Sequence, residues 1–215
     1  MKKLLLSSLV ATSIFAFAYT QVDVDNANYL ASKNIITQQS TATGYRLDAT
    51  ITRAEVAGIA LKVKWMVLPS YQCKWYFSDL INNDWRCRAA ELAADAGIVS
   101  RTNATFRPQD NITKAEALAI IMKAWNINAP SWATVAVFPY SDVLVGWQSD
   151  IILYAAGIWI VKNPNIIPLS EGFQIVENVV PIKFYPNQNA TRAEVFGFAK
   201  NILEYKATMS GEVTL

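Results

Sequence analysis

An all-α fold, built from copies of one small helix-loop-helix unit, is what this sequence predicts, and three observations predict it. A six-residue pattern recurs with little change: Ile51-Thr52-Arg53-Ala54-Glu55-Val56, Ile112-Thr113-Lys114-Ala115-Glu116-Ala117 and Ala190-Thr191-Arg192-Ala193-Glu194-Val195. The glutamates stand 61 and 78 residues apart, so the pattern marks internal copies of one unit. Behind each pattern, apolar residues return at helical intervals: Val56, Ile59, Ala60 and Val63; Ala115, Leu118, Ala119 and Met122; Val195, Phe198, Ala199 and Ile202.

Each element follows in chain order. Lys2 and Lys3 precede a short apolar run, Leu4 to Phe17, and Ala16-Phe17-Ala18 has the A-x-A form of a cleavage site, so residues 1–18 are expected to be a secretory signal peptide. The run is shorter than the roughly 20 residues that span a bilayer. No later stretch reaches that length, so no stable membrane span is expected after cleavage. A first leading helix is expected over about Asp25 to Lys33, with Asn34 as its C-cap. The second is expected over Asp84 to Ala96 and the third over Val145 to Ala156, with Gly97 and Gly157 as the left-handed cap residues.

Every Thr-x-Ala-Glu segment reads as a capping box. The Thr52, Thr113 or Thr191 hydroxyl accepts from the N3 backbone, while Glu55, Glu116 or Glu194 reaches back to the cap's own N–H. A helix therefore starts at each pattern, and three such helices would pack as a central bundle. The Pro- and Asn-rich stretch Asn163 to Pro186 is read as a long loop. The resulting units are 19–66 (shortened at its front), 73–126 and 136–205 (with an insertion), followed by a tail, 206–215. Each is too small to bury a core alone, so together they should form one pseudo-threefold body.

Composition narrows the partners. Setting aside Lys2 and Lys3 lowers the Lys plus Arg count from 19 to 17, equal to the 17 Asp plus Glu, so a nucleic-acid partner is not expected. Cys73 and Cys87, in an exported chain, meet an oxidising compartment and are expected to form a disulfide, worth about 3 kcal/mol in the chain-entropy model. The chain has no histidine, which excludes Ser-His-Asp and Cys-His catalysis and leaves no plausible metal site. Paired carboxylates remain possible in principle, but the repeated glutamates are explained by capping.

Further similarities precede the patterns. Phe77-Ser78-Asp79 with Trp85 matches Tyr140-Ser141-Asp142 with Trp147. Ala96-Gly97-Ile98-Val99 matches Ala156-Gly157-Ile158-Trp159, with Asn34-Ile35-Ile36 a weaker counterpart. Tyr45-Arg46-Leu47, Phe106-Arg107-Pro108 and Phe184-Tyr185-Pro186 each open with an aromatic. At these residues the chain resembles S-layer homology domains, over about Asp23 to Tyr205. The resemblance implies a three-pronged body around a three-helix bundle, with grooves that hold anionic cell-wall polysaccharide or another peptidoglycan-linked polymer. It implies that the motif cations Arg53, Lys114 and Arg192 contact the acid, and that Asp79 and Asp142 line the grooves. Arg107, Trp85 and Trp147 complete the expected site. Departures fall at Asn34, which replaces the usual Gly, and at Tyr185, which replaces Arg.

The motif cations also stand out on physical grounds. Each occupies the first helical position, where the macrodipole makes a cation unfavourable by about 0.3–1 kcal/mol. Unpaired helix N–H groups beside a guanidinium would suit an anion. A salt bridge to an aspartate of a neighbouring copy is the structural alternative for the cations, and core packing is the stronger reading for any one tryptophan. The expected protein is thus secreted, located at the cell envelope or surface, non-enzymatic and without cofactors, with wall glycan as its ligand and surface-layer proteins as candidate partners. The competing expectation is a structural or protein-interaction module that keeps the fold without the glycan.

Overall fold

The computed structural model describes residues 19–211 except 69, 71–72, 131–139, 144–145, 164–165, 170–171 and 176–181. The expected signal peptide lies outside the described residues. The fold is all-α among those residues: α1 Gln21–Ser32, α2 Arg53–Val63, α3 Trp85–Asp95, α4 Lys114–Ala124, α5 Trp147–Gly157 and α6 Arg192–Met209. Among the described residues an antiparallel strand pair, β1 Ile166–Leu169 with β2 Gly172–Ile175, lies inside the stretch expected to be a plain loop.

The helices α2, α4 and α6 start where the capping boxes place them. The threonine hydroxyl accepts from the glutamate N–H at 3.3 Å in all three. The glutamate Oε2 accepts from the threonine N–H at 2.9, 3.2 and 2.9 Å. Two orphan donors are satisfied at each start, which anchors the helix at the residue the pattern names.

These helices contact one another, and their starts are tied in a closed ring of backbone bonds. Ile51 N–H donates to the Ala190 carbonyl at 3.2 Å, Ala190 N–H to Ile112 at 2.8 Å, and Ile112 N–H to Ile51 at 3.2 Å. The leading helices pack in the same rotated order: α3 on α2, α5 on α4 and α1 on α6. The first helix of the described chain therefore lies on the last. Val56, Ile59, Ala60 and Val63 are buried as their spacing predicts, and so are Ala57 and Leu61, because α2 has neighbours on several sides.

Some element boundaries differ from expectation. Helix α1 begins at Gln21, ahead of the expected Asp25, because Thr20 and Asp23 form a capping box of their own. Helix α6 runs to Met209, into the segment expected as a tail. The left-handed cap residues are Asn34 (φ 58°) and Gly97 (φ 71°), as expected, but in the third copy the position belongs to Trp159 (φ 65°). Gly157 is still helical. The hydrogen bonds fix this register: Ile35 N–H meets Leu30, Ile98 meets Ala93 and Ile160 meets Ala155, at 3.0, 2.8 and 2.8 Å. Trp159-Ile160-Val161 is thus the counterpart of Gly97-Ile98-Val99, and the likeness between the two Ala-Gly-Ile stretches is two residues out of phase.

Cys73 and Cys87 are joined in a disulfide. One turn further along α3, the fully buried Glu91 carboxylate accepts from the Lys74 and Tyr76 N–H groups at 2.6 and 3.0 Å. The same short segment is therefore held to α3 twice, once covalently and once by hydrogen bonds. Among the described residues no helix is long and apolar enough to cross a membrane.

Candidate functional site

The helix starts that form the backbone ring also bring the motif cations and capping glutamates together. Arg53 Nη1 lies 3.6 Å from Glu116 Oε1, Lys114 Nζ 2.9 Å from Glu194 Oε1, and Arg192 Nη1 2.9 Å from Glu55 Oε1. Each cation thus reaches the glutamate of another copy, and the three pairs close a second ring around the first. Each glutamate divides its oxygens, Oε2 facing its own cap and Oε1 the neighbouring cation. The unfavourable placement of a cation at a helix start is offset by this carboxylate.

The helix N–H groups, expected to be open to an anion, are occupied. Arg53 and Ala54 N–H donate to the Asp110 and Pro108 carbonyls at 3.0 and 3.1 Å. Lys114 and Ala115 donate to Gln188 and Pro186, and Arg192 and Ala193 to Ala49 and Leu47, at 2.9 to 3.1 Å. An anion in this region must therefore be held by side chains. The partner acid is likewise a glutamate, where the salt-bridge alternative had an aspartate.

The aspartates bond to the backbone of the aromatic turns. Asp79 accepts from Phe106 and Arg107 N–H at 2.8 and 2.6 Å, and Asp142 from Phe184 and Tyr185 N–H at 2.9 and 2.7 Å. Both oxygens of each carboxylate are engaged with consecutive amides. The bonds hold Arg107 (φ 61°) and Tyr185 (φ 60°) in the left-handed region, an unusual state for non-glycine residues. That turn leads into the proline whose carbonyl receives an earlier motif helix start, Pro108 for α2 and Pro186 for α4.

The three cations differ in how tightly they are held. Arg192 is fixed by its ion pair and by Nε donating to the Tyr45 carbonyl at 3.0 Å. Lys114 is fixed by its short pair and lies over the Phe184 ring at 4.6 Å. Arg53, over the Phe106 ring at 5.3 Å, has the longest pair, and its buried Nε has no partner. Burial pushes the Arg53 guanidinium below its ordinary value, with Glu116 pulling the other way. Glu116 is also approached by Arg107 Nη2, at 3.8 Å, so two guanidinium groups share one carboxylate oxygen.

Arg53 and Glu116 border a groove of about 480 Å³ between α4 and α5. Its other walls include Ala119 and Lys123 of α4, and Trp147 and Asp150 of α5. Trp147 is 54% exposed and Trp85, its counterpart on α3, 42%, so neither is a core residue. Lys114 and Glu194 border a smaller groove of about 220 Å³, which Asp23 and Gly197 also line. Sequence reasoning passed over Lys123, Asp150 and Gly197 and read Ala119 only as part of an apolar helix face. Ala119 and Gly197 stand five positions after Lys114 and Arg192, and each lines a groove, a spacing that could have marked them.

The fold and this groove define a helical binding or structural module, in which the repeated polar groups serve capping and ring closure and border charged grooves. Residues 76–118 match the S-layer homology domain, and the chain carries such a domain. This is an anchoring module and not a catalytic one, found in secreted proteins of the cell envelope. An amylopullulanase of Thermoanaerobacterium thermosulfurigenes is 30% identical over 184 residues, covering 84% of this chain and 9% of its own length. The exoglucanase XynX of Acetivibrio thermocellus is 29% identical, over 84% of this chain and 15% of its own length. The middle cell wall protein of Brevibacillus brevis is 25% identical, over 74% of this chain and 12% of its own length. The chain therefore spans a small part of each of these relatives.

Proposed function

We propose that this protein attaches to the cell envelope by binding an anionic wall polysaccharide non-covalently in the Arg53 groove, through three S-layer homology units over 19–66, 73–126 and 136–205. The observation that carries this reading is the state of Arg53. It is the loosest of the motif cations, and Glu116 keeps Arg107 as a second partner if Arg53 turns to a ligand. An incoming carboxylate can be clasped by a guanidinium fork. Lys123 supplies further positive charge, and Trp147 an exposed face on which a sugar ring can stack.

Lys114 and Arg192, each in a 2.9 Å pair, are assigned to ring closure, which is the structural reading applied to those copies. Asp79 and Asp142 act as positioning residues for the turns that carry Arg107 and Tyr185. Neighbouring surface-layer proteins are the expected company of such an anchor.

The test is pelleting of residues 19–215 with purified wall sacculi, with and without their acidic polymer, alongside Arg53→Ala, Lys123→Gln and Trp147→Ala. Circular dichroism confirms that each variant is folded. Pelleting that needs the polymer and drops in all three variants is the expected result. Equal pelleting of stripped and intact sacculi, or variants that bind like the parent, overturns the assignment and leaves a structural module.

A further inference from the structure

A second cavity lies at the other end of the motif helices. Arg53 opens α2 and Trp65 follows its end, twelve residues on, so the two ends stand about 18 Å apart at 1.5 Å per helical residue. There a cleft of about 690 Å³ is walled by Tyr29, Lys33, Trp65, Trp125, Lys206 and Met209. These residues come from the ends of α1, α2, α4 and α6. The volume falls within the range of small-molecule and oligosaccharide sites.

Its lining is unusual in several independent ways. Trp65 is 60% exposed and holds a left-handed backbone (φ 62°), a position where glycine is the ordinary choice. Trp159 takes the same state at the end of α5, so what sets Trp65 apart is that its indole walls a cleft. Met209 beside it is also exposed. The Trp125 indole N–H is buried and has no acceptor among the described residues. Lys206 lies over the Trp125 ring at 5.6 Å and Lys33 over the Tyr29 ring at 5.7 Å. Neither ammonium forms an ion pair with a carboxylate among the described residues; Glu204, the acid nearest on α6, is paired with Lys200.

We infer that this cleft is a second saccharide site, for an acidic sugar, separate from the Arg53 groove. The aromatic faces suit the C–H face of a pyranose, and the two ammonium groups suit its carboxylate. Lysines near helix C-termini also favour the macrodipole, but that role does not call for Trp65. The site does not depend on the groove reading, and each can fail alone.

The test is calorimetry and tryptophan fluorescence of residues 19–215 with a galacturonic acid trisaccharide, with maltotriose as the neutral control. The acidic sugar should bind, and maltotriose should bind about tenfold more weakly or not at all. Trp65→Gly and Lys206→Gln should each weaken the acidic sugar about tenfold. Trp65→Gly should meanwhile leave the melting temperature unchanged or raised, because glycine relieves the left-handed backbone. Arg53→Ala should leave this binding component in place and remove only what belongs to the groove. Equal binding of both sugars, binding lost in Arg53→Ala alone, or a melting temperature lowered by Trp65→Gly would overturn the inference.

Discussion

The pair Glu55 and Arg192 closes the ion-pair ring between the two ends of the described chain, and a double-mutant cycle measures what that closure contributes. Glu55→Gln keeps an oxygen for the Thr52 cap but loses the charge facing Arg192 at 2.9 Å. The pair is partly exposed, 23% and 36%, so solvent screening limits its worth to about 0.5–1 kcal/mol. Arg192→Leu also strips the Tyr45 carbonyl of its Nε donor, which adds about 1 kcal/mol or more. The double variant should fall short of the summed single losses by about 0.5–1 kcal/mol. Thermal unfolding by circular dichroism resolves this, at about 2–4 °C per kcal/mol for a chain of this size. The pH dependence supplies a second check. Burial raises the Glu55 carboxyl, but hydrogen bonds from Thr52 and the charge and hydrogen bond of Arg192 outweigh it and hold the carboxyl below its ordinary value. The folded value is thus depressed, so the contribution is complete above the unfolded value and is lost as the pH falls through the folded one. The stability gap between parent and Glu55→Gln should be constant from pH 7 to about 5 and shrink only as the pH falls through the depressed folded value. Additive single losses, or a gap that persists in acid, would refute the closed ring.

Reduction of Cys73–Cys87 should cost about 2–3 kcal/mol, lowering the melting temperature by about 4–12 °C, measured with and without reductant. Because Glu91 holds the same segment, the reduced protein should still fold, visible as an unchanged helical spectrum at low temperature. Trp159→Gly should raise stability by up to about 1 kcal/mol in urea unfolding, since an exposed indole at φ 65° gives way to the residue that favours that backbone.

The parts of the fold legible in the sequence were those written locally. A capping box spans four residues, and its donors and acceptors meet whenever the helix forms, so Thr52, Thr113 and Thr191 each mark a helix start without any tertiary information. The disulfide followed from compartment and cysteine count. The counterpart of Gly97 was misplaced because Ala156-Gly157-Ile158 copies the letters of Ala96-Gly97-Ile98 while the hydrogen bonds at Ala155 select Trp159. Helix α1 was read too short because its box uses aspartate, Thr20 with Asp23, in place of glutamate. Of the site, the cations were legible as a repeated oddity at helix starts, but their partners were not. Glu116, Glu194 and Glu55 reach them only through the rotated packing of the copies, a property of the assembled fold.

The ring and the groove make competing demands on Arg53, and Arg107 reconciles them. A ligand carboxylate that draws Arg53 away from Glu116 would ordinarily strand a half-buried charge, and that loss would be subtracted from the binding free energy. Glu116 escapes this because Arg107 already approaches the same oxygen at 3.8 Å. Among the described residues Glu194 is paired with Lys114 alone and Glu55 with Arg192 alone, so opening either pair has no such compensation. The third copy has Tyr185 at the position of Arg107, which removes the spare cation from Glu194. Divergence at this turn position therefore accounts for the third copy, whereas the first keeps Arg46 there and its Glu55 is still paired with Arg192 alone among the described residues.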